Sequence, residues 1–386
     1  MKILVLPSFY PDSSNTNIGS FFKEQVKTLA KFGIEVNVIY VEQKSLRKFG
    51  LRNLKDSYFQ SAVIEEINWK EYRIKGWNVP GRIGKKLWIY LSKKLAKRFI
   101  LENGTPDLIH CHNAFWAGEV CFNINKQFNV PYIITEHDNA FFSPLTYRKT
   151  IIAKRVFKKA AKIIVVSKSL EKAINEIERD LKIDIIPNIV DTDFFIPSDL
   201  NGDINTVTFL AIGSLDKNKG HELLIEAFYS ALKINPNLML NICGDGPERK
   251  NLVKKINHLN LDKRARLIGH VNKFEILKWL QKSDCLVHAS YFETFGVVLI
   301  EAMSCGIPFI SSKSGGPNDI YEDGVGFMVD PGNVTALRDA MLEFVNLKNT
   351  FSKSKIRSIA VKRYSCKAVF EKLIRLYSNV LDAELK

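Results

Sequence analysis

The sequence lacks the marks of a secreted or membrane-spanning protein. No uninterrupted apolar run approaches the ~20 residues that a membrane-spanning helix needs. The first apolar stretch ends at Pro7, too early for the apolar segment of a signal peptide. The six cysteines are dispersed and form no Cys-x-x-Cys pair, which favours reduced thiols over a disulfide framework. We therefore expect a cytoplasmic protein, with a peripheral position on the inner face of the plasma membrane left open.

Acidic residues are scarce relative to basic ones. The 386 residues include 41 aspartates and glutamates against 56 lysines and arginines, for a net charge of +15. The excess is concentrated in residues 1–195, which carry 31 basic and 20 acidic side chains. Such a surface suits an anionic partner: a nucleic acid, an anionic lipid surface or a phosphorylated substrate. Both the length and the 46% hydrophobic content are sufficient for two or three globular domains.

Short β-branched runs alternate with helical periodicities along the whole chain. Strands are predicted at Lys2–Pro7, Ile34–Val41, Leu108–His110, Tyr132–Thr135, Ile163–Val166, Val207–Ile212, Leu238–Cys243, Arg266–Ile268, Cys285–His288 and Pro308–Ile310. Because helical stretches separate them, the strands should form two parallel sheets with helices on both faces. The predicted fold class is α/β, with two doubly wound Rossmann-like domains facing each other across a cleft.

The segment Pro187–Asp199 is the predicted hinge, because it holds two prolines and several Asp and Asn residues. We therefore predict an N-terminal Rossmann-like domain over residues 1–190 and a C-terminal Rossmann-like domain over residues 191–365. A helix over residues 366–386 is expected to pack back on the N-terminal domain. In open α/β sheets, ligands bind beyond the carboxyl ends of the strands. The chemistry should therefore lie in the loops that follow the strands.

The most informative stretch follows the strand Cys285–His288. Glu293 lies before a predicted helix, and Glu301 lies inside it, eight residues further on. Eight residues are a rotation of only about 80°, so the two carboxylates can share one side of the helix. The amides at its start form an anion site. On spacing alone, the pair can equally be a capping glutamate and a solvated glutamate.

Polar side chains also follow the strands of the N-terminal half. His112 lies two residues after the predicted strand Leu108–His110, and Glu136 and His137 directly follow the predicted strand Tyr132–Thr135. Glu136 and His137 are candidates for contact with a ligand, although either can be a hydrogen-bonded loop residue. The spacing of the histidines and cysteines near His112 matches no closed zinc site, and we expect no metal.

Six motifs resemble those of one protein family and occur along the chain in the order found in that family. They are Asp107-Leu108-Ile109-His110-Cys111-His112, Pro187-Asn188-Ile189-Val190-Asp191, Gly213-Ser214-Leu215-Asp216-Lys217-Asn218-Lys219-Gly220, Gly244-Asp245-Gly246-Pro247-Glu248, Leu267-Ile268-Gly269-His270-Val271, and Glu293-x7-Glu301 followed by Ala302-Met303-Ser304-Cys305-Gly306. Nearly the whole chain resembles the retaining glycosyltransferase family 4, of the GT-B fold, as found in bacterial cell-surface polysaccharide and glycolipid synthesis.

The resemblance implies roles for individual residues of the C-terminal half. Glu301 holds the ribose hydroxyls of a nucleotide diphosphate-sugar, and Glu293 touches hydroxyls of the donor sugar. Phe295 and Gly296 lie beside the diphosphate and sugar. Lys219 neutralises the diphosphate as it leaves. The resemblance also places Val271 near the base of the nucleotide, and Ser214 in the first loop of the C-terminal domain, where it contacts the donor.

Two positions depart from the family pattern. Ser214 stands where the family often has arginine. Either the affinity for the diphosphate is weaker, or another basic side chain, such as Lys217, supplies the second cation beside Lys219. In the N-terminal half, the resemblance places Gly19 near the diphosphate, but Ile18 replaces the first glycine of the usual pair. His112 is expected to approach the transferred sugar.

The implied activity is retaining transfer of a hexose-type sugar, with UDP-sugar as the default donor, to a saccharide or lipid-linked acceptor. No metal or cofactor is expected. The resemblance implies that residues 1–190 bind the acceptor and residues 191–365 bind the nucleotide-sugar. The acceptor would be selected by loops near residues 10–20, 76–90 and 136–148, with Glu136 and His137 as acceptor-side candidates.

The basic stretch Arg82–Leu101 has no acidic residue and an imperfect apolar face. It can lie on an anionic membrane surface or be a solvated helix with its apolar face in the core.

Two other functions compete with the transferase. The first is a nucleotide-sugar epimerase of the same fold. The second is a basic nucleic-acid-binding protein, which the net charge allows but no recognition motif supports.

Overall fold

The computed structural model describes residues 1–12, 19–45, 59–79, 81–198 and 205–384. The chain divides into two compact units. Unit 1 comprises Met1–Val166, Leu170–Ile189 and Val369–Lys386, and unit 2 comprises Ser167–Ser169 and Val190–Ala368. The division between Ile189 and Val190 lies one residue before the boundary expected from the sequence.

Unit 1 is built on one sheet. Its strands are β1 (Lys2–Pro7), β2 (Glu35–Ser45), β3 (Ser61–Glu65), β4 (Lys70–Asn78), β5 (Leu108–His112), β6 (Tyr132–Glu136), β7 (Lys162–Val165) and β8 (Ile183–Ile185). Its helices are α1 (Ser20–Lys31), α2 (Gly81–Asn103), α3 (Ala117–Phe128), α4 (Tyr147–Lys159) and α5 (Lys168–Asn175), which begins in the short unit 2 segment. The sheet order is β3-β4-β2-β1-β5-β6-β7-β8.

Unit 2 is built on a second sheet. Its strands are β9 (Val207–Ile212), β10 (Leu238–Cys243), β11 (Ala265–Gly269), β12 (Cys285–His288), β13 (Phe309–Ser312) and β14 (Gly326–Val329). Its helices are α6 (His221–Leu232), α7 (Arg249–His258), α8 (Lys273–Gln281), α9 (Val297–Ser304), α10 (Pro317–Ile320), α11 (Val334–Leu347) and α12 (Lys353–Tyr364). A last helix, α13 (Cys366–Glu384), belongs to unit 1 from Val369 onward.

Both sheets reverse their strand order at one point. In unit 2 the order is β11-β10-β9-β12-β13-β14, and all recorded pairs are parallel. The loops after β9 and β12 therefore leave in opposite directions, and a crevice forms between them at the carboxyl edge. The corresponding point in unit 1 lies between β1 and β5. These two positions are where a doubly wound sheet binds ligands.

Two expectations about unit 1 were wrong. Its sheet is not wholly parallel, because β3 pairs antiparallel with β4 at the edge. Residues 76–90 are not a loop: β4 ends at Asn78, and α2 begins at Gly81. Of the other two expected acceptor loops, residues 13–18 lie outside the described residues, and residues 136–148 contain a short 3-10 turn at Asn139–Phe142.

The core of each unit is apolar and continuous with its sheet. In unit 2, residues such as Phe209, Leu240 and Phe228 are fully buried between the sheet and its helices. All six cysteines lie within the described residues and are free thiols. Among the helices that the structure describes, none combines the length and apolarity required to cross a membrane.

Candidate active site

An ion pair lies at the carboxyl edge of unit 2, where the strand order reverses. Lys219 belongs to the loop after β9, and Glu293 belongs to the loop after β12. The Lys219 Nζ and Glu293 Oε2 atoms are 2.6 Å apart. Both residues were predicted from the sequence, and the structure brings them into direct contact.

His288, at the end of β12, is the second partner of Glu293. Its Nε2 lies 3.3 Å from Glu293 Oε2 and 3.1 Å from the Ser290 hydroxyl, while its Nδ1 faces the Ser311 hydroxyl at 3.3 Å. Because an ionised carboxylate only accepts hydrogen bonds, we assign the ring proton to Nε2. His288 was missed from the sequence, although the last residue of a strand beside the reversal point is a recognisable position.

The charge state of Glu293 follows from these partners. Burial alone would raise the pKa of Glu293, but the His288 hydrogen bond and the Lys219 ammonium outweigh it and hold that pKa well below its usual range. Glu293 is therefore ionised throughout the physiological range. The site offers one fixed anion and one cation in a largely buried position.

The Asn218 side chain, which was not predicted from the sequence, joins the loop of Lys219 to the loop of Glu293. Asn218 Nδ2 donates to the carbonyl of Phe292 at 2.9 Å, and its Oδ1 accepts from the Phe292 amide at 3.1 Å. The Tyr291 amide donates to the Asn218 carbonyl at 2.8 Å. Three hydrogen bonds thus fix the position of Lys219, the next residue, relative to the Glu293 loop.

The start of α9 lies beside this pair. Its N-cap residue, Gly296, has φ of +98°, a left-handed conformation that favours glycine, and no side chain caps the helix. The side chain of Phe295 is buried and packs edge-to-face on Tyr364, with ring centroids 6.0 Å apart. Only the backbone of Phe295 is therefore placed to contact a ligand. Glu301 lies half-buried further along α9.

The other predicted donor-side residues have distinct environments. Ser214 is exposed, and its hydroxyl donates to Asp216, so it adds no cation to the site. Lys217 is exposed in the same turn. Val271 is 7% exposed just beyond β11.

In unit 1, His112 is completely buried at the end of β5. It stacks between Phe22 of α1 and His110, with ring centroids 4.4 Å away on each side. Its Nδ1 lies 3.2 Å from His137 Nε2. Burial, reinforced by the neighbouring histidines, lowers the pKa of His112 well below its usual range, so the ring is neutral. The structure therefore brings together His112 and His137, two of the residues selected from the sequence.

Glu136 occupies a different kind of position. Its Oε1 accepts from the amides of His137 and Asp138, both at 2.9 Å, and its Oε2 accepts from the Ala114 amide at 2.8 Å. Burial raises the pKa of Glu136 to about 7, although the three backbone donors act in the opposite direction. These bonds connect two strand-end loops, which favours the interpretation of Glu136 as a hydrogen-bonded loop residue.

Gly19 precedes α1 in a left-handed conformation, with φ of +69°. A Cβ at this position would lie 3.0 Å from both the Phe9 carbonyl oxygen and the Phe22 ring. Glycine is therefore required here by local packing, whatever its role toward a ligand.

Family comparisons agree with this architecture. The family model described as "Glycosyltransferase Family 4" matches residues 18–194, and the one described as "Glycosyl transferases group 1" matches residues 196–361. Together the two matches cover most of the chain. With its two Rossmann-like units, the protein is a glycosyltransferase of the GT-B fold. The chain belongs to glycosyltransferase family 4.

Individual relatives are similar over most of the chain. TuaC of Bacillus subtilis, a glycosyltransferase assigned to teichuronic acid biosynthesis, is 25% identical over 89% of this chain and 89% of its own length. The structure of sucrose-phosphate synthase from Thermosynechococcus elongatus has a TM-score of 0.81 at 20% identity and covers 99% of this chain and 100% of that one. Anabaena HepE in complex with UDP has a TM-score of 0.75 at 20% identity, covering 98% and 100%.

Proposed function

We propose that this protein is a retaining transferase that moves a hexose-type sugar from a nucleotide diphosphate-sugar to a saccharide or lipid-linked acceptor in cell-surface polysaccharide synthesis. The observation that carries the proposal is the Lys219–Glu293 pair at the reversal point of unit 2. A donor combines an anionic diphosphate with a hydroxyl-rich sugar, and the pair supplies a cation for the first and a carboxylate for the second.

The proposed reaction uses no protein nucleophile. Lys219 and the first amides of α9 stabilise the charge that develops on the leaving diphosphate. Glu293 holds hydroxyls of the sugar while an oxocarbenium-like state forms. The acceptor hydroxyl attacks from the face that the diphosphate leaves, and the departing phosphate oxygen takes its proton. We assign His112 to orienting the sugar, Glu301 to the ribose and Val271 to the base, and we expect no metal.

Uridine is the proposed base. The support is that Anabaena HepE, which shares the fold, has a structure in complex with UDP. The polysaccharide role is supported by TuaC, a relative assigned to teichuronic acid biosynthesis. A nucleotide-sugar epimerase would also bind the donor, but it would consume no acceptor.

A thermal-shift screen with UDP, GDP, ADP, CMP and their sugars tests the proposal. We expect one nucleotide to raise the Tm of the wild type and to have little effect on Glu301→Ala, because that variant lacks the ribose contact. A ligand at 100 times its Kd stabilises the folded state by about 2.7 kcal/mol. If no nucleotide shifts the wild type at millimolar concentration, the transferase proposal loses its support and nucleic-acid binding becomes the better explanation.

We further propose that the outer face of α2 contacts an anionic membrane. The apolar face identified from the sequence is buried in unit 1, since residues such as Trp88, Leu91 and Leu95 are at most 4% exposed. It is therefore not available to lipid. A different stripe remains exposed, at spacings of three or four residues: Ile83, Lys86, Tyr90, Lys94, Lys97 and Leu101.

The helix α3 lies beside α2, and α4 lies beside α3. Lys85 of α2 pairs with Glu119 of α3 at 2.6 Å, and Arg155 of α4 lies 4.8 Å from the ring centroid of Phe122 in α3. The exposed side of α4 adds Tyr147, which is 83% exposed. Lysines beside exposed apolar side chains are the composition that binds at a lipid headgroup layer.

Charge reversal tests the membrane proposal. We expect the Lys86→Glu/Lys94→Glu/Lys97→Glu variant to bind phosphatidylserine-containing vesicles about a hundredfold more weakly, at roughly 1 kcal/mol per lysine. The control reverses Lys250 and Lys254 on α7 and should bind as the wild type does. Cosedimentation with vesicles measures both. Equal losses in the two variants would mean that binding follows net charge and not this face.

A further inference from the structure

The strand β3 exposes apolar side chains at the edge of the unit 1 sheet. Among the described strands, β3 is the last of that sheet on its side. Val63 is 51% exposed and Ile64 is 42% exposed, and Ile67, in the turn that follows, is 95% exposed. Sheet edges are commonly protected by lysine or proline, and β3, with the sequence Ser-Ala-Val-Ile-Glu, contains neither. Such an edge is a template for pairing with another strand.

The backbone of β3 directs hydrogen-bonding groups outward. In the turn between β3 and β4, the Glu66 amide donates to the Trp69 carbonyl at 2.9 Å. Because bonded pairs alternate along an antiparallel ladder, the next residue of β3 that bonds to β4 is Ile64. The amides and carbonyls that point away from β4 therefore belong to the alternate residues Ser61, Val63 and Glu65.

These outward groups match a second copy of the same strand. A two-fold axis at Val63 places this residue opposite Val63 of the second copy, with both outward groups exchanged between them. The same axis places Ser61 opposite Glu65 of the second copy, and Ala62 opposite Ile64. No pair joins like charges.

The exposed apolar residues on either side of β3 fit the same axis. Ile67 lies four residues after Val63, and Phe59, which is 44% exposed, lies four residues before it. The axis therefore places Ile67 at the level of Phe59 of the second copy. This relation gives a role to two apolar side chains that a monomer leaves in water.

Charge complementarity also favours a second copy as the occupant of this edge. Ser61 and Glu65 lie on one face of the strand, and on that face the Arg98 guanidinium of α2 donates to the Ser61 hydroxyl. Glu65 of the second copy would lie opposite Ser61, with the Cβ atoms about 5 Å apart. Its side chain is 73% exposed and would reach Arg98. The two-fold axis forms this ion pair twice.

The helix behind the edge leaves room for the second copy. The helix α2 packs on β2 and β4. With strands about 4.8 Å apart, the two copies of α2 in a joined sheet would be about 19 Å apart, more than the helix diameter of about 10–12 Å. The strand at the other edge of the sheet, β8, has only three residues and offers a shorter template.

We propose that the protein forms a two-fold dimer through β3, in which the eight-stranded sheets of two copies become one continuous sheet. Because the pairing uses the β3 edge of both copies, assembly stops at the dimer. The paired strands are shorter than a standard interface of about 1,600 Å² requires, so we expect a Kd of about 1–100 µM. This proposal does not depend on the proposed enzymatic function.

Sedimentation velocity over a range of protein concentrations tests the dimer. We expect Val63→Pro to weaken dimerisation at least about a hundredfold and to keep a Tm near that of the wild type, because proline is tolerated where an edge N–H faces outward. If Val63→Pro lowers the Tm, Val63→Lys serves instead, since it places two ammonium groups opposite each other. A wild type that stays monomeric at about 1 mM, ten times the highest expected Kd, overturns the proposal. A dimer that survives both substitutions also overturns it.

Oxidative cross-linking tests the register. Opposed residues of a bonded pair have Cα atoms about 5.5 Å apart, a separation that a disulfide spans, so Val63→Cys should form a covalent dimer. Ser61→Cys is the matched control, because Ser61 would lie about 13 Å from its own counterpart along the strand. The wild type, whose six cysteines are free thiols, gives the background. Equal cross-linking of the two variants would contradict the two-fold axis at Val63.

Exchange of charges tests the contact between copies. We expect Glu65→Lys and Arg98→Glu each to weaken the dimer about tenfold, because each replaces two attractive pairs by two repulsive ones. In an equal mixture of the two variants, a mixed dimer regains both attractive pairs and should be as tight as the wild type. A mixture no tighter than either variant alone would show that Arg98 and Glu65 do not meet across the interface.

Discussion

Replacing Lys219 with methionine is expected to lower the kcat of sugar transfer by about 10²–10³-fold, the usual effect of removing one preorganised group that stabilises developing charge. Methionine keeps an unbranched apolar stem of similar length and removes only the ammonium. The donor KM should change less than kcat, because the charge on the diphosphate increases as the bond to the sugar breaks. Steady-state kinetics over a range of donor concentrations separates the two parameters.

Stability must be separated from catalysis in this variant, because Lys219 also balances the buried charge of Glu293. Removing one partner of a buried ion pair costs about 3–5 kcal/mol, and His288 offsets part of that here. The double variant Lys219→Met/Glu293→Gln removes both charges, so its Tm should recover while its activity stays low. Because Glu293 is itself placed at the donor sugar, the activity of the double variant is compared with that of Glu293→Gln alone. Equal activities in these two variants would mean that Lys219 is a structural residue.

Lys217 provides the matched control. It lies in the same 3-10 turn, is exposed, and has no recorded contact with Glu293 among the described residues. We expect Lys217→Met to lower donor affinity only slightly and to leave kcat near that of the wild type. A loss as large as that of Lys219→Met would mean that Lys217 supplies the cation missing at Ser214.

Gly220→Ala is expected to lower the stability of unit 2 by about 2–4 kcal/mol, which corresponds to a fall in Tm of about 5–15 °C. Gly220 has φ of +64°, and a Cβ there would lie 2.2 Å from the carbonyl oxygen of Ala289. Relief of that contact would displace the loop that carries Lys219 from the end of β12. Donor binding should therefore weaken as well. Calorimetry and nucleotide titration measure the two effects.

The Gly324→Ala variant separates the cost of backbone strain at a positive φ from the cost of a steric contact. Gly324 also has a positive φ, +90°, but a Cβ there meets only the end of the flexible Lys355 side chain at 3.3 Å. Its stability loss should be about 1 kcal/mol, with normal donor binding. Equal losses in Gly220→Ala and Gly324→Ala would show that backbone strain, and not the contact with Ala289, is responsible.

Much of the fold could be predicted from the sequence. The predicted bounds of β9 and β12 agree with the structure, because buried parallel strands are short β-branched runs. The strand β4, which lies between β3 and β2, was missed because its residues Glu71 and Arg73 are charged yet buried. Their charges are paired at 2.6 Å, which a hydrophobic pattern does not reveal.

Only part of the candidate site could be predicted from the sequence. Glu293 and Lys219 were selected by motif, but their contact depends on the order β9-β12 and on the bonds made by Asn218, which join residues 74 positions apart. The pairing of His112 with His137 likewise depends on strand register, which places His112 opposite Thr135. Contacts of this kind follow from topology and not from spacing along the chain.

A crystal structure with the nucleotide-sugar selected by the thermal-shift screen would show directly whether the donor binds at the reversal point of unit 2. We expect the diphosphate to lie at Lys219 and the first amides of α9, with the sugar at Glu293 and the ribose within hydrogen-bond distance of Glu301. A nucleotide bound elsewhere, or one whose ribose lies beyond reach of Glu301 while Lys219 remains paired only with Glu293, would contradict it.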